Sequence, residues 1–208
     1  MSADSPSNQD LRACPLATKG ELRQWFQAQR QQQNMAQISQ RICDHLARHS
    51  RLVKPDIICL YMPVRAEVNL LSLLSCLPEK TWALPRCRPG RTMSWHVVSA
   101  GDIARLQPHS GHGWEYNRFG IPEPAAHLPQ VKVTQIDLVL VPALACDRWG
   151  ARLGYGGGFY DRFLSVYQGV TMAAVPGVCW STTPLPRDPW DKDVHTVVTE
   201  EGVQGVRQ

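Results

Sequence analysis

Apolar side chains recur along this chain with two periods, one typical of helices and one typical of strands. A first helix is predicted to begin after Thr18, because Thr18 and Glu21 have the spacing of a capping box. A second helix is indicated by apolar residues about 3.6 positions apart: Met35, Ile38, Ile42 and Leu46. Further helices are predicted over 70–77 and from about 159 to 167.

Short apolar runs between these helices predict strands. They lie at 57–62, 82–84, 93–97, 136–141, 171–178 and 194–199. The run 136–141 is continuously apolar, as is typical of a parallel strand that is buried on both faces. Strands alternating with helices predict an α/β fold, a single three-layer domain with a mostly parallel open sheet and helices on both faces. We expect this domain to cover 19–208, after a loose polar tail over 1–18, and the segment 108–129 to be loop.

Composition and charge narrow the class of protein. The length of 208 residues suits one domain, and an apolar content of 43% is enough for a continuous core. The net charge of +4 is too weak and too scattered to indicate a nucleic-acid-binding protein. The longest apolar run, 138–146, contains Pro142 and is too short for a membrane-spanning helix. We therefore expect neither nucleic acid nor membrane as a partner. We also expect a monomer.

Cysteine usage predicts the compartment. No two of the seven cysteines have C-x-x-C spacing, and Cys59, Cys146 and Cys179 lie in apolar runs that predict core positions. The first eighteen residues lack the apolar region of a signal peptide. These features favour a reducing compartment and a cytoplasmic location.

The most informative segment is the glycine-rich motif RLGYGGGFYDR at 152–162. Four of the five residues from Gly154 to Gly158 are glycine, and a predicted helix follows them. Without Cβ atoms, the backbone N–H groups of such a loop can converge on a phosphate. Arg152 and Arg162 add positive charge, and Asp161 is placed either to cap the helix or to hold Mg²⁺. A tight turn is the alternative, but it requires fewer glycines, so phosphate binding is the favoured interpretation.

Several segments, in a fixed order, resemble the 5-formyltetrahydrofolate cyclo-ligase family, also called the 5,10-methenyltetrahydrofolate synthetases. The glycine motif, preceded by Asp147 and Gly150, is the most specific of them. K-x-x-L-R at 19–23 with Arg30, YMPVRAEV at 61–68, FGIPEP at 119–124 and a C-terminal L-P…W-D…V-V-T pattern at 185–199 agree with it. The matches extend over 19–199, nearly the whole chain.

The resemblance implies an ATP- and Mg²⁺-dependent ligase of one-carbon metabolism. Such an enzyme cyclises the N5-formyl group of 5-formyltetrahydrofolate onto N10 and forms 5,10-methenyltetrahydrofolate, ADP and phosphate. Phosphorylation of the formyl oxygen makes it a good leaving group before N10 attacks, a step that requires positioning and charge neutralisation. Two alternatives stay open: a non-catalytic folate- or nucleotide-binding protein on the same scaffold, and a sugar-phosphate isomerase or acyltransferase on a similar sheet.

The resemblance also implies roles for individual residues. The catalytic residues would be Arg152, Tyr160 and Asp161. ATP, the co-substrate, would be bound by Lys19, Arg23, Arg152, Leu153, Gly154, Tyr155, Gly156, Gly157, Gly158, Phe159 and Tyr160. The folate would contact Met62, Glu67, Tyr155, Gly156, Gly157, Gly158 and Phe159. Mg²⁺ would be held by Asp161 and Asp191.

Considered without the resemblance, some of these residues have simpler interpretations. Lys19 and Arg23 would form a solvated basic face, and Glu67 would be an ordinary exposed carboxylate after a strand. Trp114 and Tyr116 would either stack on the folate or pack their loop against the domain. Three positions also depart from the family's pattern: Phe159 replaces a tyrosine, His195 an acidic residue and Gly157 a lysine.

Overall fold

The computed structural model describes residues 18–105 and 114–206, so the predicted polar tail lies outside the described residues except for Thr18. The helices are α1 (Lys19–Gln31), α2 (Met35–Arg48), α3 (Ser50–Val53), α4 (Leu73–Cys76), α5 (Ala100–Ala104) and α6 (Phe159–Leu164). The predicted capping box at α1 is confirmed, because the Glu21 N–H donates to Thr18 Oγ1 and the Thr18 N–H donates to Glu21 Oε2. Both α1 and α2 begin as the sequence predicts.

The strands form one large sheet and two small ones. They are β1 (Ile57–Cys59), β2 (Thr81–Arg88), β3 (Thr92–Val98), β4 (Trp114–Tyr116), β5 (Pro122–Pro124), β6 (Gln130–Val131), β7 (Leu138–Val141), β8 (Ala145–Asp147), β9 (Arg152–Leu153), β10 (Val170–Ala174), β11 (Trp180–Ser181), β12 (Thr196–Thr199) and β13 (Gly202–Gln204). The large sheet has the order β13-β12-β10-β7-β1-β2-β3-β6. Its five strands from β12 to β2 run parallel, and β13, β3 and β6 are antiparallel additions.

Alternate residues of the central strands enter two separate cores. In β7, Val139 and Val141 pack with Phe26 of α1 and Phe163 of α6. Their neighbours Leu138 and Leu140 belong instead to the core that contains residues of α2, α3 and α4. The sheet is therefore covered by helices on both faces, and the predicted α/β class with a mostly parallel sheet is confirmed, although the sheet is mixed.

Several predicted boundaries differ from the structure. The strand predicted at 82–84 extends through Pro85 to Arg88, because its pairing with β1 ends at Ala83 and the missing N–H of Pro85 then breaks no ladder. The strand predicted at 171–178 ends at Ala174 and the helix predicted to reach 167 ends at Leu164. The short helix α4 covers only part of 70–77.

Two small structures were not predicted. The described part of the expected loop 108–129 contains the antiparallel ribbon β4–β5, so the prediction of plain loop was wrong there. The second is a three-stranded sheet of order β11-β8-β9, in which β9 is formed by the first two residues of the glycine motif. Neither could be predicted from sequence patterns, because strands of two or three residues with proline or glycine neighbours have no detectable periodicity.

The core predictions for cysteine are confirmed, since Cys59, Cys146 and Cys179 are all fully buried. In the described ranges the cysteines are free thiols. Trp114 is buried and donates from Nε1 to the Asp102 carbonyl, so it packs its strand against the domain, while Tyr116 is exposed. None of the described helices is long and apolar enough to cross a membrane.

Candidate active site

A cleft of about 460 Å³ opens at the carboxyl ends of β1, β2 and β7. Between β1 and β7 the strand order reverses direction, and ligands of open α/β sheets bind at such a switch point. Tyr61 and Met62 follow β1, and Pro142 follows β7, into the floor of this cleft. The glycine motif forms one wall of the cleft.

The glycine loop has a conformation that requires glycine at two positions. Gly156 has φ +89° and Gly158 has φ +71°, in the left-handed region that most side chains avoid. Arg23 from α1 packs on this loop: its Nε donates to the Gly154 carbonyl at 2.8 Å, and a Cβ at Gly156 would lie 3.5 Å from its guanidinium carbon. Gly157 has no such φ, and a Cβ there would make an ordinary contact of 3.4 Å with the Phe159 ring.

Arg152 and Asp161, at the two ends of the motif, form an ion pair beside the cleft. The Arg152 side chain is only 4% exposed, and its Nε makes no hydrogen bond to any described residue. Leu153, next to it on β9, points its side chain into the core, and its carbonyl accepts from the Leu144 N–H. The motif therefore directs a buried guanidinium, already neutralised by a carboxylate, towards the cleft wall.

Two tyrosines of the motif reach different parts of the cleft. The Tyr160 ring packs edge-on against Trp95, and its buried hydroxyl has no hydrogen-bond partner within the described residues. An unsatisfied buried hydroxyl is costly, so this group suits a polar atom of a bound molecule. Tyr155 donates to the Arg65 carbonyl at 3.3 Å and thereby joins the glycine loop to the segment after β1.

Glu67 lies in the cleft on a strained turn. Its N–H donates to the Val64 carbonyl and its Oε2 accepts from the Val64 N–H, while Arg65 (φ 48°) and Ala66 (φ 60°) are both left-handed. Burial raises the pKa of Glu67 to about 7, against the opposing effects of the Val64 N–H and the charges of Arg30 and Arg65. Glu67 is therefore a buried titratable group, and its interpretation as an ordinary exposed carboxylate was wrong.

Lys19 lies outside the cleft lining and is held by two carboxylates. Its ammonium pairs with Asp188 Oδ2 at 2.5 Å and with Asp191. Burial would raise the pKa of Asp191, but the Lys19 hydrogen bond, the Asp188 N–H and the charges of Lys19 and Arg152 outweigh it and lower that pKa. Arg152 thus pairs with Asp161 and also acts electrostatically on Asp191, which places both predicted metal ligands beside a cation.

The acidic residues do not form a metal site by themselves. Among the described residues there is no group of three or more histidine, cysteine, aspartate or glutamate side chains that would hold a metal ion. His195, which stands in place of an acidic residue, points away: its Nδ1 accepts from the Thr171 N–H at 3.1 Å, and it lines a separate cavity that shares no residue with the cleft. Asp193 pairs instead with Arg187.

The turn of the β4–β5 ribbon forms the opposite wall of the cleft. Phe119 meets the Phe159 ring edge-on, with 6.4 Å between the ring centroids. Glu123 is buried and its Oε1 accepts from the Cys87 N–H and from Asn117 Nδ2. Asn117 Oδ1 in turn accepts from the Phe119 and Ile121 N–H groups, so the ribbon turn is held in place before any ligand arrives.

Sequence reasoning gave no role to Asp147, although it noted the residue in the motif. Its buried carboxylate accepts from the Trp149 and Ala151 N–H groups through Oδ1 and from the Leu185 N–H through Oδ2. It therefore ties the turn that precedes Arg152 to the C-terminal segment that carries Asp188 and Asp191. The available signal was an aspartate five residues before Arg152, the first residue of the glycine motif. No sequence pattern indicated Asp188, because its partner Lys19 lies 169 residues away in the sequence.

The structure gathers most predicted site residues around one cavity. Those lining the cleft are Met62, Glu67, Arg152, Gly154, Tyr155, Gly156, Gly157, Gly158, Phe159, Tyr160 and Asp161. Arg23 touches the loop from outside this lining, Lys19 and Asp191 pair with each other, and the Leu153 side chain is in the core. The ligand each residue would contact stays a prediction.

Comparison with known proteins identifies the family of this chain. Residues 5–200 match the family model described as "5-formyltetrahydrofolate cyclo-ligase family". The chain is 28% identical to the 5-formyltetrahydrofolate cyclo-ligase of Escherichia coli K12 over 83% of this chain and 92% of that protein, and 38% identical to that of Haemophilus influenzae over 68% and 74%. The NMR structure of Aquifex aeolicus 5,10-methenyltetrahydrofolate synthetase superposes with a TM-score of 0.75 at 30% identity, covering 91% of this chain and 93% of that one. By its sequence, its fold and the order of its motifs, this chain belongs to the 5-formyltetrahydrofolate cyclo-ligase family.

Proposed function

We propose that this protein catalyses the ATP- and Mg²⁺-dependent cyclisation of 5-formyltetrahydrofolate to 5,10-methenyltetrahydrofolate, with release of ADP and phosphate. The observation that carries the proposal is the single cleft that holds Glu67 and the glycine loop together. Such a ligase must bind the pterin and the phosphates next to each other. Glu67 would bind the pterin, and the glycine loop would bind the phosphates. We also propose a cytoplasmic location and a monomeric state.

At the nucleotide end, the glycine loop supplies backbone N–H groups that side chains do not obstruct. Arg23 contacts this loop, Arg152 belongs to its motif, and Lys19 lies on the same helix as Arg23 and pairs with Asp188 and Asp191. Each of the three would exchange its present partner for a phosphate oxygen. Guanidinium contacts with phosphate are charge-assisted and stronger than neutral hydrogen bonds. These groups would hold the terminal phosphoryl group in line with the formyl oxygen and neutralise charge as it transfers.

At the folate end, Glu67 would accept hydrogen bonds from the amino and ring N–H groups of the pterin, with Met62 packed beside it. The unpartnered Tyr160 hydroxyl would donate to an oxygen of the substrate near the reacting carbon. Once the formyl oxygen is phosphorylated, N10 attacks the formyl carbon, the C–O bond breaks, and the oxygen leaves as part of inorganic phosphate. The walls from Met62 and Phe119 would exclude water from this step.

The residues present fit a magnesium ion that arrives with ATP. Mg²⁺ keeps several waters and is bound through one or two carboxylates together with substrate phosphates, so a cluster of three carboxylates is not required. Asp161 lines the cleft and Asp191 lies within the electrostatic reach of the same arginine. When bound, Mg²⁺ neutralises charge on the phosphates and orients them, and Asp161 and Asp191 would hold it.

Turnover separates this proposal from the alternatives. Purified protein is mixed with 5-formyltetrahydrofolate, Mg²⁺ and ATP, and the near-ultraviolet absorption band of the methenyl product is followed. We expect the band to grow only when ATP and Mg²⁺ are both present. A non-catalytic binding protein would bind both ligands without forming the band, and an isomerase or acyltransferase would have no ATP requirement.

Asp191→Asn is expected to raise the Mg²⁺ concentration required for half-maximal rate about tenfold, because one charged ligand is lost with little change of shape. Asp161→Asn is expected to do the same, and the double variant to lose little more, since residues that act on one centre couple. Kinetics at increasing Mg²⁺ measure this. Asp193→Asn, whose carboxylate pairs with Arg187 at the surface, is the control and should behave as wild type. An unchanged Mg²⁺ dependence in Asp191→Asn would remove this residue from the metal shell.

Glu67→Gln is expected to raise the KM for the folate about tenfold and to leave the KM for ATP nearly unchanged, because an amide accepts hydrogen bonds less strongly than a carboxylate. With a pKa of about 7, wild-type Glu67 is protonated in the free protein below neutral pH. The wild-type kcat/KM for folate should therefore fall as the pH decreases below about 7, and this step should be absent from the variant. Equal effects on both substrates would place Glu67 away from the folate.

The same variant should be more stable than wild type at pH 8. Between the usual pKa near 4.5 and about 7, the folded chain binds more protons at Glu67 than the unfolded chain does. Stability conferred by the protonated form is therefore lost as the pH rises through this range. Removing the buried charge should increase the free energy of unfolding at pH 8 by up to about 3 kcal/mol, and by much less at pH 4. Urea denaturation at the two pH values measures it.

A further inference from the structure

The glycine loop is approached by a cation from a third element, the turn between β2 and β3. A Cβ built at Gly158 would meet the Nη1 atom of Arg91, at 3.8 Å, and no closer neighbour. Arg91 is exposed, and its guanidinium makes no hydrogen bond or ion pair with any residue in the described ranges. Arg23, Arg152 and Arg162, three other arginines near the loop, are each held by a protein partner.

The turn that carries Arg91 is built to hold it there. Arg91 has φ 58° directly after Gly90 with φ 74°, so a residue with a large side chain occupies the left-handed region. Arg162 of α6, four residues after Gly158, donates to the Gly90 carbonyl and so fixes this turn against the end of the glycine loop. Arg91 is thus held in a strained conformation by a contact from α6, and its guanidinium has no partner among the described residues. Such a residue is better placed to bind a group of a ligand than to make a structural contact.

We propose that Arg91 is a further binding residue of the cleft, which takes an oxyanion group of a bound substrate at Gly158. The proposal rests on the proposed function for the identity of that group. Two sources share the chemistry: the terminal phosphates of ATP and the glutamate carboxylates of the folate. Both substrates would reach the Gly158–Phe159 end of the loop, where Phe119 also lies against Phe159.

Arg91→Gly tests this without disturbing the fold, because glycine adopts the positive φ more readily than arginine does. Calorimetry measures the Kd of tripolyphosphate, ATP and 5-formyltetrahydrofolate, each alone. We expect Arg91→Gly to weaken either the two phosphate ligands or the folate about tenfold, and Arg91→Lys to recover part of the loss. The control is Arg88→Ala, because Arg88 is an exposed arginine at the end of β2 whose Nε donates to Ser94 Oγ. This variant should leave all three Kd values unchanged.

The outcomes separate the two sources and the two hypotheses. If Arg91→Gly loses affinity for tripolyphosphate and ATP, Arg91 binds the phosphates. If it loses affinity for the folate alone, Arg91 binds the glutamate carboxylates. Wild-type affinity for all three ligands in Arg91→Gly overturns the proposal even when the enzyme turns over. Arg91-dependent binding of tripolyphosphate by a protein that makes no methenyl product would uphold it while the proposed function failed. Arg91→Asn, which also tolerates a positive φ, replaces the glycine variant if that one proves unstable.

Discussion

Arg152→Ala is expected to lower kcat/KM for ATP about 100-fold. The substitution removes a buried guanidinium that would contact the phosphates, and it leaves Asp161 without its partner beside the cleft. A charge-assisted hydrogen bond contributes about 1.5–3 kcal/mol, and each 1.4 kcal/mol is a factor of ten in rate or affinity. Steady-state kinetics with ATP as the varied substrate measure the effect, and calorimetry gives the accompanying loss of ATP affinity.

A matched control for this variant is Arg187→Ala. Arg187 also pairs with an aspartate, Asp193, but both side chains are exposed and neither lines the cleft. Exposed ion pairs contribute little to stability, so this variant should retain wild-type kinetics and a similar free energy of unfolding. ATP kinetics in Arg152→Ala that match those of Arg187→Ala would make Arg152 a structural residue of the hairpin β8–β9.

Gly156→Val is expected to abolish most ATP binding, with a rise of about 100-fold in Kd. Gly156 has φ +89°, and a β-branched side chain is strained there, at a cost of about 1–3 kcal/mol. The new Cβ would lie 3.5 Å from the Arg23 guanidinium carbon, so the added methyl groups push this cation away from the loop. The same side chain would obstruct the approach of a phosphate to the backbone N–H groups.

Two controls separate strain from obstruction. Gly202→Val places valine at another positive φ, at the first residue of β13, where nothing lies within 4 Å of the new Cβ. It should lose stability and keep ATP affinity. Gly157→Ala, at an ordinary φ, should have a small effect on both. If Gly156→Val loses only as much ATP affinity as Gly202→Val, the loop's conformation is not used for phosphate binding.

Local patterns predicted the elements whose formation is itself local. The capping box marks where α1 begins, and the apolar stripe of α2 marks the face that this helix buries. The continuous apolar run at 136–141 marks a strand buried on both faces. The ribbon β4–β5 gave no such pattern, because its second strand is Pro122-Glu-Pro124 and its order comes from contacts with β2 and from the Glu123 carboxylate. The position of this ribbon is determined by tertiary contacts between residues that are far apart in the sequence.

The site residues also divide into those with a local sequence signal and those placed only by tertiary contacts. Glycine content alone led to the prediction of a phosphate loop, because the segment has four glycines and only Gly156 and Gly158 adopt a positive φ. The burial of Glu67 had no local signal, because Arg65 and Ala66 are not residues that usually mark a left-handed turn. Asp188 and Asp191 meet Lys19 only after the chain has folded, so their pairing is a property of the fold and not of any motif.

The fate of the formyl oxygen shows whether the reaction proceeds through a phosphorylated formyl group. The protein is supplied with ATP, Mg²⁺ and 5-formyltetrahydrofolate labelled with ¹⁸O in the formyl group, and the phosphate released is analysed by mass spectrometry. Phosphorylation of that oxygen in the cleft predicts one ¹⁸O atom in each phosphate, formed in equal amounts with ADP and the methenyl product. Label recovered in water, with unlabelled phosphate, would contradict the account, because the oxygen would then have left without being phosphorylated.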